Sequence, residues 1–213
     1  MSQVQTEPLR PNPEFAVVAT RERLESTAEA LRSHGMRVLV AADRSEARRL
    51  VLEELPDGAR VHQGASATLD ALGVTEEIER SGRFDAVRPK LLALDRETQM
   101  DEIRHIGASP DYMLGSAAAV TEDGSLVVAS ASGSQLGPLA SGAGQVVFAV
   151  GAQKVVPDLE TALRRVREYA YPREDQRAQK AYGIHSAINE MLVISGDWLG
   201  RITVILVDEE LGF

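Results

Sequence analysis

The sequence predicts an α/β protein whose sheet is mixed but mostly parallel, with helices on both faces. Three observations carry this. Helical and strand-like patterns alternate over the first third of the chain. A Glu-Asp-Gly turn separates two apolar runs near the middle. Further apolar runs, one amphipathic helix among them, complete the C-terminal half. Alternation of this kind selects parallel crossovers, and a tight turn between apolar runs adds an antiparallel pair.

Residues 1–14 read as an N-terminal arm, with Pro8, Pro11 and Pro13 and few apolar anchors, ahead of one domain over 15–213. Leu24, Ala28 and Leu31 recur at helical spacing, and Gly35 follows as a stop. MRVLVA, 36–41, reads as a buried strand. Asp43 and Glu46 have the spacing of a capping box and open a helix to about Leu55. ARVHQ is a short strand, and GASATLDALG opens the next helix. YMLGSAAAVT and SLVVAS read as two apolar strands around EDG, since Asp-Gly is a strong hairpin signal. QVVFAVG is another buried strand. Leu159, Ala162, Leu163, Val166 and Tyr169 mark an amphipathic helix after Asp158, and MLVIS and RITVILV are the last strands.

Composition limits the function. The 213 residues are 44% hydrophobic and 26% charged, close to globular averages and enough to bury a core. A net charge of -9 disfavours nucleic-acid and anionic-membrane partners, both of which need a basic surface. The absence of cysteine excludes disulfides, all-cysteine zinc sites and thiolate-ligated iron–sulfur clusters. His34, His62, His105 and His185 are scattered, so no metal site is expected, and no dinucleotide fingerprint calls for a redox cofactor. With no apolar leader and no run long enough to span a bilayer, the expected location is the cytoplasm.

The unusual stretch is TEDGSLVVASASGSQLGPLASGAG, 121–144, because no charged residue stands between Asp123 and Lys154. Within it, Ser132, Gly133, Ser134 and Gln135 follow a strand. Small hydroxyl and glycine residues there let backbone N–H groups approach an anion, and ligands of α/β sheets collect at strand carboxyl ends. Gly64, Ser66 and Thr68 repeat the pattern after another strand, where Ser66 alone also satisfies a helix N-cap. Lys154 is the only Lys or Arg between Arg104 and Arg164. A lone lysine at a strand end is ordinarily exposed; beside the serine–glycine loop it becomes a partner for phosphate or carboxylate. Glu122 has two readings, a catalytic carboxylate or part of a hairpin turn in which Gly124 supplies a positive φ. His185 shows no partner residue nearby and reads as structural, and Trp198 reads as core or edge packing.

At these residues the chain resembles the LUD, or lactate-utilisation, domain family. The matching segments are GASATLDALGV, SPDYMLGSAAAVTEDGSLVVASASGSQL, VFAVGAQKVVPDLETALRRVREYAYP and RITVILVDEELGF. Better-known members carry an AETGT-like motif. Here Glu122 and Gly124 match it, while Asp123 and Ser125 replace its threonines. The AVTEDG and ASASGSQ pair is closer to a branch of short, stand-alone members, in which His often stands at Ala118 and Lys at Glu190. The resemblance implies a fold similar to ribose-phosphate isomerases, glucosamine-phosphate isomerases and CoA transferases. It also implies a link to oxidation of L-lactate to pyruvate.

The expected function is binding of a small anionic metabolite, a carboxylate or phosphate, in support of lactate or organic-acid use. Expected site residues are Gly124, Ser132, Gly133, Ser134, Gln135, Lys154, Gly64, Ser66 and Thr68. One alternative is an isomerase- or CoA-transferase-like enzyme using Glu122. Another is a non-catalytic partner subunit of a metabolic complex. The resemblance brings in other lactate-utilisation proteins as partners, and a second copy of the chain is a further candidate.

Overall fold

The computed structural model describes residues 9–213. The expected arm falls partly outside them. Of the remainder, Asn12 donates its N–H to the Glu168 carbonyl and caps a single helical turn, Pro13–Ala16, which delivers Phe15 into the core.

In chain order the elements are α1 (Arg21–Ser33), β1 (Arg37–Ala41), α2 (Arg44–Glu53), β2 (Arg60–Gln63), α3 (Ala67–Ala71), α4 (Val74–Arg80), β3 (Asp85–Ala86), α5 (Val87–Ala93) and α6 (Met100–Ala108). Then come β4 (Tyr112–Gly115), β5 (Ala119–Thr121), β6 (Leu126–Ser130), β7 (Gln145–Gly151), β8 (Val155–Val156), α7 (Leu159–Arg165), α8 (Tyr171–Tyr182), β9 (Glu190–Ile194) and β10 (Ile202–Val207). Local chemistry sets several boundaries. Asp43 accepts from the Glu46 N–H, and Glu46 reaches back to the Ala42 N–H, so the expected box forms one residue wider than its usual geometry. Ser66 caps α3 through the Leu69 N–H, and Asp158 caps α7 through the Thr161 N–H.

The strands form two sheets. The first is wholly parallel, in the order β1-β10-β7-β4-β2-β3. The second is mixed, in the order β8-β5-β6-β9, with β5 and β6 joined as an antiparallel hairpin and β8 parallel to β5. The α/β class and the mostly parallel pairing are as the sequence predicts. The single sheet is not: YMLGSAAAVT is two strands, β4 and β5, that lie in different sheets. Gly115, Ser116, Ala117 and Ala118 carry the chain from one to the other. Small side chains there leave room between the sheets, and that room is the cavity described below.

Packing follows the alternation of side chains along each strand. Leu114, Val147, Ala149, Ile205 and Val207 face one way and bury residues of α2, α3 and α4. Met113, Val146, Phe148, Val204 and Leu206 face the other, against Leu24, Ala28 and Leu31 of α1 and against Val120, Leu126 and Val128 of the second sheet. The alternate residues of that sheet, Ala119, Val127 and Val156, pack under α7 with Ala162, Val166 and Tyr169. Sheet two is thus covered on both faces, which is why its strands read as unbroken apolar runs. Trp198 departs from its sequence reading: it lies in the loop between β9 and β10 and is 92% exposed.

Among the described residues, no helix is long and apolar enough to cross a membrane.

Candidate functional site

A cavity of about 260 Å³ opens at the carboxyl ends of β2, β4 and β7. In a parallel sheet the loops diverge at that end, so a crevice there is the expected place for a ligand. The loop after β2 brings Gly64, Ser66 and Thr68, the loop after β4 brings Ser116, and the turn after β7 brings Lys154. The second sheet supplies Ser130, Ser132, Ser134 and Gln135 from the end of β6. Tyr171 and Glu174 of α8, and Ser186 beyond it, close the remaining side.

Seven of the residues singled out in the sequence therefore line one space, although Gly64 and Lys154 are far apart in the chain. Gly64 and Gln135 meet closely: a Cβ on Gly64 would lie 2.5 Å from Gln135 Oε1. Gln135 is held by a hydrogen bond from Nε2 to the Ala129 carbonyl, 3.3 Å. Gly133 lies behind this wall. Its φ of +67° makes the turn, and its N–H donates to Ser130 Oγ at 3.0 Å.

Glu122 and Gly124 do not border the cavity. Glu122 pairs with Arg23 of α1 at 2.5 Å. Gly124, at φ +94°, closes the β5–β6 turn, its N–H donating to the Thr121 carbonyl and its own carbonyl meeting His34 Nδ1 at 3.1 Å. Its bare Cα packs against the Ala30 carbonyl, so a side chain has no room there.

The electrostatic centre is Lys154, 1% exposed. Its Nζ donates to Thr68 Oγ1 at 2.9 Å and to Ser116 Oγ at 3.0 Å. Burial pushes its ammonium well below the ordinary lysine range, and the nearby Arg165 charge adds to the effect. Arg165 is itself fully buried at the C-terminal end of α7. Burial lowers it to about 10. One of its terminal nitrogens donates to the Ala118 carbonyl, which borders the cavity, and its guanidinium lies 5.0 Å from the Tyr169 ring centroid. Its Nε and second terminal nitrogen have no hydrogen-bond partner among the described residues. Neither basic side chain makes an ion pair with a carboxylate of those residues. Glu174, the acidic side chain on the cavity wall, is engaged bidentately by Arg177.

The helix at this wall is irregular. Between α7 and α8 the residues Val166–Ala170 form a wider π-type turn, making one helical segment from 159 to 182. Such bulges shift the register of the faces and recur at functional sites. Here the shift falls next to Arg165 and supplies Val166, Ala170 and Tyr171 to the cavity wall.

Several members of this site escaped the sequence reading. Ser116 follows a strand among small residues, as Ser66 does, and the same argument finds it. Arg165 stands three residues after Ala162 and four before Tyr169, which places a cation on the apolar stripe of the helix. His185 keeps its structural reading, but it has a partner that the sequence did not show. Asp175, almost wholly buried, lies 3.1 Å from His185 Nδ1 and accepts the Ser186 N–H at 2.7 Å and Gln179 Nε2 at 2.8 Å. Burial works to raise the Asp175 carboxyl, yet these hydrogen bonds outweigh it and hold the group below the usual range. The cluster ties the loop that carries Ser186, Ala187 and Ile188 to α8, and so fixes one edge of the cavity.

Among the described residues no group of His, Cys, Asp and Glu is arranged to hold a metal ion.

The family model described as the LUD domain matches residues 24–207. In structure, the chain is similar to a DUF162 family protein from Deinococcus radiodurans, with a TM-score of 0.55 at 13% identity, over 90% of this chain and 99% of that one. At that identity the likeness concerns the fold. No curated protein matches the chain in sequence.

Proposed function

The chain belongs to the LUD domain family, and from that premise we propose that its cavity binds a small metabolite carrying a carboxylate or phosphate. The observation that carries the reading is the pair of buried basic side chains, Lys154 and Arg165, without a carboxylate partner among the described residues. Arg165 keeps its charge without solvent or a counter-ion, and Lys154 is too deeply buried to hold its own, so an anion in the cavity balances the one and faces the nitrogen of the other. The serine hydroxyls at 130, 132 and 134 and the Gln135 amide are the donors that meet its oxygens. Family membership supports a role related to lactate utilisation, and small hydroxy and oxo acids fit the size and sign of the cavity.

The test is a thermal-shift series with lactate, pyruvate, inorganic phosphate and sugar phosphates, on the native chain and on Lys154→Met. A ligand that binds only the folded state raises the melting temperature. An anion that stabilises the native chain and not Lys154→Met is the expected result. A shift of equal size in both chains places the anion elsewhere.

A further inference from the structure

The hydrogen bonds around Lys154 leave one position on its nitrogen unassigned. Thr68 Oγ1 donates its own hydrogen onward to the Leu211 carbonyl at 3.3 Å, and Ser116 Oγ points at the Ala117 carbonyl at 3.4 Å. Each hydroxyl has committed its hydrogen, so each can only accept from Lys154. Two N–H bonds of Nζ are thereby fixed. The remaining position is a third N–H if the group is an ammonium and a lone pair if it is an amine. Everything around it selects the amine: Lys154 is buried, no carboxylate faces it among the described residues, and Arg165 is the charge nearby. Lys154, Thr68 and Ser116 all border the cavity.

We propose that Lys154 is a nucleophile that forms a reversible imine with a small aldehyde or ketone bearing a carboxylate or phosphate. This rests on the anion-binding reading above, which supplies the group that holds such a compound in place. The lone pair of Nζ attacks the carbonyl carbon, the C–N bond forms, and the carbonyl oxygen takes up a proton. Loss of the second nitrogen-bound proton and of water then gives the imine. The exchange of amine and carbonyl for imine and water is redox-neutral and needs no further reactant. A desolvated lysine beside another cation is an established way to activate this nucleophile. The depressed proton affinity of Lys154 agrees with the geometry.

The chain has three lysines, Lys90, Lys154 and Lys180, and the other two are controls within the same molecule. The native protein is incubated at pH 7.4 with pyruvate or glyoxylate in one arm and glyceraldehyde 3-phosphate in the other. Cyanoborohydride supplies the hydride that traps any imine, and adducts are mapped by peptide mass. An ordinary lysine is only about one-thousandth neutral at that pH, so Lys154 should be labelled at least about tenfold over Lys90 and Lys180. The arm that labels it identifies an oxo acid or a sugar phosphate as the carbonyl source. Lys154→Arg should abolish that adduct; if this variant does not fold, loss of the native adduct in excess propionate or phosphate replaces it. Equal labelling of the three lysines overturns the proposal. So does an oxo acid or glyceraldehyde 3-phosphate that raises the melting temperature without labelling Lys154, an outcome that leaves the anion-binding reading standing. Neither shift nor label with any compound overturns both.

Discussion

Lys154 Nζ lies 2.9 Å from the hydroxyl of Thr68, 86 positions earlier in the chain. The contact joins the turn after β7 to the first turn of α3, across the mouth of the parallel sheet. It also binds the stability of the fold to the chemistry of the cavity. A buried amine without a carboxylate costs stability that a purely structural position would not spend.

Lys154→Met should therefore leave the folded chain as stable as the native one or more so, since apolar replacement of buried charged groups is often neutral or favourable. The pH dependence gives a sharper test. The proton affinity of Lys154 is lowered on folding, so the unfolded chain binds more protons at Lys154 at any pH between its folded value and the ordinary value near 10.5. Its unfavourable contribution is largest below the folded value and fades as pH rises toward 10.5. Chemical denaturation of the two chains from pH 7 to 10 should show the advantage of Lys154→Met shrinking. A constant difference would mean that Lys154 is not buried in the form described.

His62 makes the chain labile on the acid side. It is buried, its Nδ1 has no partner among the described residues, and burial, aided by Arg88, lowers it from 6.5 to about 4. The native state thus resists protonation that the unfolded state accepts. Stability present above pH 6.5 is lost as pH falls toward 4, by about 3 kcal/mol in total. His62→Leu should flatten this slope in urea titrations between pH 4 and 7. An unchanged slope would assign the lability to other groups.

Gly64→Ala should separate binding from folding. The new methyl collides with the end of a flexible Gln135 side chain, which can swing away, so the stability cost should stay within about 1 kcal/mol. Any anion that uses the Gln135 amide should bind more weakly, by about 1–3 kcal/mol, as for hydrogen bonds to charged groups. Gly142→Ala is the contrast. Its methyl would overlap the Ala108 backbone carbonyl, which cannot move aside, and the chain should lose stability well beyond the Gly64 variant. Melting curves and ligand titrations on both variants check the pair.

Glu122→Gln should change little. Glu122 is 38% exposed and its pair with Arg23 is a surface one, worth up to about 1 kcal/mol. Affinity for a ligand of the cavity should be unchanged. If turnover on an identified substrate fell by roughly 10²-fold or more, Glu122 would be acting as a proton carrier despite its place beside α1.

What was legible in the sequence follows a physical division. Helix caps at Asp43 and Asp158, the Gly124 turn and the apolar period of α1 and α7 are set by neighbours a few residues apart, so short stretches of sequence carry them. The loops of the site were legible for the same reason: Gly64, Ser66, Ser132 and Ser134 follow strands, and small polar residues at that position suit an anion whatever surrounds them. The tertiary structure decided what depends on distant pairing. YMLGSAAAVT looks like one strand because both halves are apolar, and only the burial of β4 and β5 in different sheets breaks it at Ser116. Lys154 reads as an exposed residue because its neighbours in sequence say nothing of Thr68, Ser116 and Arg165, the groups that bury it, satisfy it and repel its charge. Burial and charge are properties of a surrounding volume, and the chain assembles that volume from segments that meet only when the two sheets pack.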